Sequence, residues 1–137
     1  MSIENNQLQE TKKILLVDDD ADYMLSVSTC LEKSGYITEK ANTRKDGELL
    51  ITKGDYDMAL FDLMMEESDS GFILSYKSKK MHPEKPVIIV TSVAGETGLR
   101  FDVSTKDMKE WVKADAILDK GISIKELVNK VKTLVTK

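Results

Sequence analysis

Four short apolar runs, separated by segments with helical periodicity, are the strongest constraint on the fold of this chain. The runs lie at residues 14–17, 58–61, 87–90 and 116–118. Uninterrupted apolar runs of this length are typical of strands that are buried on both faces, as in the parallel sheets of α/β proteins. The sequence therefore predicts an α/β fold in which strands and helices alternate and helices cover both faces of the sheet.

The periodicity predicts five strand–helix units. The predicted strands lie at residues 12–17, 36–40, 58–61, 87–90 and 116–118, and the predicted helices at 21–33, 44–53, 70–81 and 123–135. Asp20 and Thr43 are the expected N-caps of the first two helices, and Gly35 and Gly54 are expected to end them. The strand at 36–40 is more polar than the others, which favours a place near an edge of the sheet.

Two segments do not follow this alternation. Residues 1–11 are polar and are expected to form a loosely attached tail in front of a single domain at 12–137. Residues 93–113 should contain the fourth helix of the series, but they are rich in glycine and polar residues. A capping pattern that begins at Ser104 predicts a short helix at about 106–112 instead.

Composition limits the classes of function. A chain of 137 residues with 41% apolar and 32% charged residues is ordinary for one soluble globular domain. The net charge of −4 predicts no direct binding of nucleic acid. No apolar stretch approaches the roughly 20 residues that cross a bilayer, so no membrane insertion is expected. Cys30 is the only cysteine, which fits a reducing compartment and predicts a cytoplasmic location.

Residues with phosphate or metal chemistry follow the apolar runs. The acidic triplet that begins with Asp18 and Asp19 follows the first run, Asp62 follows 58–61, Thr91 follows 87–90, and Lys120 comes two residues after 116–118. Ligands of parallel α/β sheets bind at the carboxyl ends of the strands. We therefore expect the carboxylates, the hydroxyl and the ammonium to meet in one crevice.

These residue types suit a divalent cation together with a phosphoryl group. Carboxylates that are brought together repel each other, by about 4 kcal/mol per pair at 4 Å in an effective dielectric near 20, and Mg²⁺ removes this repulsion. A carboxylate such as Asp62 can attack phosphorus to form an aspartyl phosphate. Asp19, together with Asp18, would hold Mg²⁺, and the side chains of Lys120 and Thr91 would bind phosphoryl oxygens.

The chain resembles the receiver domain of two-component response regulators over residues 12–137. The matching segments are 14–20, 62–65 followed by 70–72, 90–92 and 114–120. The resemblance implies a flavodoxin-like, doubly wound, five-stranded parallel sheet with strand order 2-1-3-4-5. It implies phosphotransfer to Asp62 from the phosphohistidine of a sensor histidine kinase or a phosphotransfer protein. By the same resemblance, the backbone carbonyl of Met64 is a further Mg²⁺ ligand beside Asp18, Asp19 and Asp62.

The resemblance also implies a phosphoacceptor rather than an enzyme, one that supports its own phosphotransfer and its own dephosphorylation. We expect a stand-alone receiver, similar to chemotaxis regulators, with an unidentified protein as downstream target and homodimerisation as a possibility. Met64 and Val93 stand where family side chains control the access of hydrolytic water, and both are apolar. We therefore expect slow self-dephosphorylation.

Two positions and one spacing depart from the family pattern. Gly121 follows Lys120 where proline is usual, which predicts a trans peptide bond and a more mobile loop. Ile117 stands where the family carries an aromatic switch residue. The stretch from Thr91 to Lys120 is longer than is common. We therefore expect the response to phosphorylation to pass through residues 92–113.

Two alternatives remain open on the residues alone. A small haloacid-dehalogenase-like, Mg²⁺-dependent phosphohydrolase would use Asp18 as the nucleophile and Asp20 as the acid. Against it, Asp22 stands where that motif has threonine or valine, and 137 residues leave no room for a cap domain. The other alternative is an interaction module that keeps the receiver fold without being phosphorylated.

Overall fold

The structure is a computed structural model that describes residues 11–63, 65, 70–92 and 114–135. Five strands form one parallel sheet in the order β2-β1-β3-β4-β5. The strands are β1 (Lys13–Val17), β2 (Ile37–Ala41), β3 (Met58–Asp62), β4 (Val87–Thr91) and β5 (Ala116–Asp119). This order confirms the predicted flavodoxin-like topology and places the polar strand β2 at an edge.

Four helices are found in the described part of the chain. They are α1 (Ala21–Lys33), α2 (Arg44–Lys53), α3 (Ser70–Met81) and α4 (Ile124–Val135). The side chain of Asp20 accepts a hydrogen bond from the backbone N–H of Tyr23, and that of Thr43 from the N–H of Asp46, so both predicted N-caps are confirmed. Gly54 ends α2 as predicted. Its φ of 75° lies in the left-handed region, which glycine adopts without strain.

The strand boundaries differ from the predicted ones by about one residue. Strands β3, β4 and β5 each include the polar residue that follows the apolar run, because these residues still pair with the neighbouring strand. Asp62 pairs with Val90, and Thr91 pairs with Asp119. The apolar runs therefore predicted the buried part of each strand. The hydrogen bonds between the strands extend one residue further, to the polar residues that line the crevice.

The two faces of the sheet carry separate hydrophobic cores. Ile14 and Leu16 of β1 pack on one face with α1 and α4, whereas Leu15 and Val17 pack on the other face with α2 and α3. This alternation follows from the two-residue period of side chains along a strand. It confirms that helices cover both faces, and it leaves the carboxyl ends of the strands as the accessible edge of the sheet.

Several predictions fall outside the described residues. These are the N-terminal tail, Met64, the short helix at 106–112 and the response through 92–113. Among the described helices, none combines the length and the apolar character that a bilayer-crossing helix needs.

Candidate functional site

The predicted site residues lie at the carboxyl ends of the three central strands and of β5. Asp18 directly follows β1, Asp62 ends β3, Thr91 ends β4, and Lys120 directly follows β5. Asp18, Asp62 and Thr91 are each 5% exposed or less. Asp18 is 3% exposed and Asp62 is 5% exposed. A buried carboxylate is costly unless it is paired or binds a cation, so the burial of these two residues indicates a functional site.

Asp18, Asp19 and Asp62 form an acidic cluster. Each residue offers one carboxylate oxygen, and these oxygens all lie within 4.8 Å of one another. Asp18 and Asp62 are buried, whereas Asp19 is exposed at the mouth of the cluster. Three oxygen donors this close, one of them reachable from solvent, match the ligand type that Mg²⁺ prefers.

Lys120 pairs with the two buried carboxylates. Its Nζ lies 2.9 Å from Asp18 Oδ2 and 3.5 Å from Asp62 Oδ1. Asp18 Oδ1 accepts a hydrogen bond from the backbone N–H of Asp20 at 2.9 Å, whereas Oδ2 is the oxygen that faces the Lys120 ammonium. One ammonium therefore serves two buried carboxylates, and Asp18 Oδ2 retains capacity for a cation.

The surroundings of Asp62 raise the pKa of its carboxyl to about 7. Burial is the main cause, and the negative charge of Asp18 adds to it, while Lys120 opposes it. Burial lowers the pKa of Lys120, but the carboxylates of Asp18 and Asp62 outweigh this effect and raise it above its ordinary value. Lys120 therefore stays charged, and the site holds more negative charge than one ammonium can balance.

Backbone hydrogen bonds fix Thr91 and Lys120 relative to each other. The N–H of Lys120 donates to the carbonyl of Thr91 at 2.9 Å. The N–H of Gly121 donates to Asp119 Oδ1 at 2.7 Å, which closes a turn directly after Lys120. The peptide bond between Lys120 and Gly121 is trans, like every peptide bond in the described residues, as the sequence predicted.

The start of α3 packs directly against the backbone that carries Asp62. The N–H of Gly71 donates to the carbonyl of Leu63 at 2.8 Å, and the N–H of Leu63 donates to the carbonyl of Val90 at 2.9 Å. A Cβ at position 71 would lie 2.5 Å from Leu63 Cα and 2.7 Å from the carbonyl oxygen of Asp62. Only glycine therefore allows this approach, which holds the end of β3 in place.

The structure brings together the carboxylates and the lysine that the sequence predicted to share one crevice. Asp18, Asp19, Asp62 and Lys120 meet as predicted, and Thr91 lies one residue beyond the β-partner of Asp62. Met64, the predicted source of a carbonyl ligand, lies outside the described residues. Asp20, considered as an acid in one alternative, is exposed and uses its side chain to cap α1.

Tyr23 is a site residue that the sequence prediction missed. Its ring centroid lies 4.7 Å from Lys120 Nζ. Burial, together with the charges of Asp18 and Asp62, raises the pKa of Tyr23 to about 12, so its hydroxyl remains protonated. Its place in the first turn of α1, directly after the acidic triplet, could have indicated this. Helical side chains lean toward the N-terminus of the helix, which here lies beside the acidic cluster.

Comparison with known proteins identifies the family. A model of the response regulator receiver domain matches residues 14–132. The chain is 27% identical over 130 residues to the transcriptional regulatory protein RprY of Bacteroides fragilis (strain YCH46), covering 93% of this chain and 51% of RprY. It is 28% identical over 123 residues to the transcriptional regulatory protein PmrA of Pectobacterium parmentieri, covering 90% of this chain and 52% of PmrA. The chain thus spans about half the length of the curated relatives it matches.

Solved structures agree with this assignment. A CheY-like response regulator receiver domain protein from Methanospirillum hungatei JF-1 superposes with a TM-score of 0.78 at 28% identity, over 93% of this chain and 95% of the other. The receiver domain of the Francisella response regulator 1452 gives a TM-score of 0.76 at 28% identity, over 92% and 98%. The chain therefore belongs to the family of response regulator receiver domains, the phosphoacceptor domains of two-component signalling.

Proposed function

We propose that Asp62 is the phosphoacceptor of this receiver domain. The observation that supports this best is the single cluster in which the Asp62 carboxylate has Lys120 Nζ at 3.5 Å and carboxylate oxygens of Asp18 and Asp19 within 4.8 Å. In this arrangement, an anionic phosphoryl group bound to Asp62 has an ammonium beside it and a cation site next to it. These are the two sources of charge stabilisation that phosphoryl transfer requires.

The proposed reaction moves a phosphoryl group from nitrogen to oxygen. A carboxylate oxygen of Asp62 attacks the phosphorus of a phosphohistidine on a sensor histidine kinase or a phosphotransfer protein. The new P–O bond forms as the P–N bond breaks, and the electron pair of that bond returns to the imidazole nitrogen, which takes up a proton. Lys120 offsets the charge on the phosphoryl oxygens, and Thr91 is the proposed hydroxyl donor to one of them.

Asp18, Asp19 and Asp62 are the residues that would hold Mg²⁺, with the backbone carbonyl of Met64 as the further ligand that the family resemblance implies. The fit rests on three hard oxygen donors within 4.8 Å and on two buried carboxylates that share the ammonium of Lys120. When bound, the ion neutralises the carboxylates and the phosphoryl oxygens. The residues present therefore suit this cofactor.

We propose that the domain catalyses its own phosphorylation from small phosphodonors and its own dephosphorylation, without being an enzyme in the ordinary sense. Apolar Met64 and Val93 predict slow hydrolysis of the acyl phosphate. The lifetime is measured by following the decay of the phosphorylated species by intact mass after removal of the donor. A lifetime of seconds would contradict the prediction.

The phosphohydrolase alternative receives less support. It requires Asp20 to act as an acid, but the Asp20 side chain accepts the N–H of Tyr23 at 3.1 Å and caps α1. An unphosphorylated interaction module has no need for two buried carboxylates beside a half-buried lysine, an arrangement that is costly to keep. We therefore propose that this receiver domain works in the cytoplasm and acts on a downstream protein without itself contacting nucleic acid, and homodimerisation stays a prediction.

The direct test is uptake of phosphorus. The protein is incubated with acetyl phosphate, with and without Mg²⁺, and its intact mass is measured. We expect a gain of one phosphoryl group that requires Mg²⁺ and disappears in Asp62→Asn. The matched control is Asp55→Asn, an exposed carboxylate paired with Lys13 away from the site. Wild-type protein that takes up no phosphorus from any donor would overturn the proposed function.

A further inference from the structure

We propose that Tyr23 is a positioning residue for Lys120, in that the face of its ring holds the lysine ammonium over the acidic cluster. This role presupposes the phosphoryl transfer to Asp62 proposed above and adds a residue to the machinery that performs it. Neither the family match nor the acidic motif assigns a role to this position.

In the described part of the chain, the ammonium of Lys120 has three neighbours. Two are the oxygens of Asp18, at 2.9 Å, and Asp62, at 3.5 Å, and the third is the ring of Tyr23, with its centroid at 4.7 Å. A cation within about 6 Å of an aromatic ring centroid is attracted by the negative face of the ring. The ring therefore holds the ammonium in addition to the two carboxylates.

The ring itself is held in place by the start of α1. The N–H of Tyr23 donates to Asp20 Oδ1 at 3.1 Å, and the N–H of Met24 donates to the carbonyl of Asp20 at 3.0 Å. The ring is half-buried and packs against the core between α1, α4 and the sheet. Because helical side chains lean toward the N-terminus, this position aims the ring at the carboxyl end of β1, where the acidic cluster lies.

Lys120 needs such a partner because its other partners change during the reaction. When Asp62 is phosphorylated, its carboxylate becomes an acyl phosphate and the negative charge moves outward onto the phosphoryl oxygens. A cation bound to Asp18 would weaken the other ion pair. The ring of Tyr23 is unaltered by either event. It can therefore keep limiting the rotamer freedom of the long Lys120 side chain, which Gly121 follows in the sequence, when the ion pairs change.

The test compares two substitutions of Tyr23. Tyr23→Phe keeps the ring face and is expected to take up phosphorus from acetyl phosphate within about twofold of the wild-type rate. Tyr23→Leu removes the ring face and is expected to slow the uptake by about threefold to tenfold. The matched control is Tyr36→Leu, since Tyr36 is also half-buried against the same core and is expected to leave the rate unchanged.

A second readout does not depend on phosphorylation. The ε-methylene protons of Lys120 should show an upfield ring-current shift in the NMR spectrum of the unphosphorylated protein, kept in Tyr23→Phe and lost in Tyr23→Leu. An unchanged Lys120 shift or an unchanged uptake rate in Tyr23→Leu would overturn the positioning role, and so would an equal loss in Tyr23→Phe. Wild-type protein that shows the ring-current shift but takes up no phosphorus would overturn only the function of Asp62.

Discussion

At the scale of single residues, the acidic cluster carries more negative charge than Lys120 balances. Asp18, Asp19 and Asp62 form one cluster, Lys120 pairs with the two buried carboxylates, and the pKa of Asp62 rises to about 7. Receiver chemistry benefits from this imbalance, because a cation and then a phosphoryl group relieve it. The same imbalance must cost stability in the absence of the cation, and this cost can be measured.

We predict that the metal-free protein loses stability as pH rises through the titration of Asp62. The folded-state pKa, about 7, exceeds the ordinary 3.8, so between these values the folded state binds more protons than the unfolded state. Stability therefore falls as pH rises across this window. We expect Asp62→Asn to gain about 1 to 2 kcal/mol relative to wild type between pH 4 and pH 8, less than the full shift implies because water reaches the mouth of the cluster.

The measurement is urea unfolding in EDTA at several pH values, and addition of Mg²⁺ should recover part of the wild-type stability at pH 8. Asp55→Asn serves as the control, since Asp55 lies in an exposed ion pair and the pKa of its carboxyl is lowered by Lys13. A stability difference between wild type and Asp62→Asn that is the same at every pH would contradict the prediction.

At the scale of elements, helix α3 is built from small residues where it meets the sheet and the loop after β3. Ser70, Gly71, Ser75 and Ser78 are all buried. The small side chains allow α3 to approach the backbone at Asp62 and Leu63. The helix therefore controls where the phosphoacceptor lies, although none of its described side chains belongs to the acidic cluster.

We expect Gly71→Ala to displace the end of β3 from the start of α3. The new Cβ would lie 2.5 Å from Leu63 Cα, and neither atom belongs to a flexible side chain. Overpacking of this kind costs about 1 to 3 kcal/mol. Phosphoryl uptake should fall together with the unfolding midpoint, and Gly121→Ala, whose Cβ would lie 3.2 Å from Asp119 Oδ1, is the milder comparison. Wild-type stability and uptake in Gly71→Ala would show that the contact is unimportant.

Two serines of α3 form a natural matched pair. Ser75 Oγ is buried and has no hydrogen-bond partner among the residues that the structure describes, whereas Ser78 Oγ lies 2.7 Å from the hydroxyl of buried Tyr56. Ser75→Ala should stabilise the protein by about 0.5 to 1 kcal/mol, because it removes an unsatisfied hydroxyl and raises helix propensity. Ser78→Ala should destabilise it by about 1 to 2 kcal/mol, because it leaves the Tyr56 hydroxyl unpaired. Thermal unfolding of both variants checks the signs, and equal effects would refute the assignment.

At the scale of the whole molecule, the sequence predicted the parts that depend on local patterns. Apolar runs predicted the strands, and the acids, threonine and lysine at their ends predicted the crevice, because parallel strands bring their carboxyl ends to one edge. Capping by Asp20 and Thr43 was equally local. The resemblance to receiver domains supplied the strand order.

Contacts between distant segments could not be predicted in the same way. Tyr23 meets Lys120 only because α1 and β5 flank the same crevice, and no periodicity joins the two positions. The close approach of Gly71 to Leu63 depends on how α3 packs against the loop after β3. The last residues of β3 and β4 count as strand only because Asp62 and Thr91 pair with residues of the neighbouring strands. Such features follow from tertiary packing rather than from local pattern.

Identification of the phosphorylated residue in wild-type protein tests the central claim most directly. The protein is phosphorylated with acetyl phosphate and Mg²⁺ and the acyl phosphate is reduced with borohydride, which converts a phosphorylated aspartate into homoserine. Peptide mass spectrometry then locates that residue without any substitution that could disturb folding. We predict homoserine at position 62. Homoserine at position 18, or at no aspartate, would contradict the account.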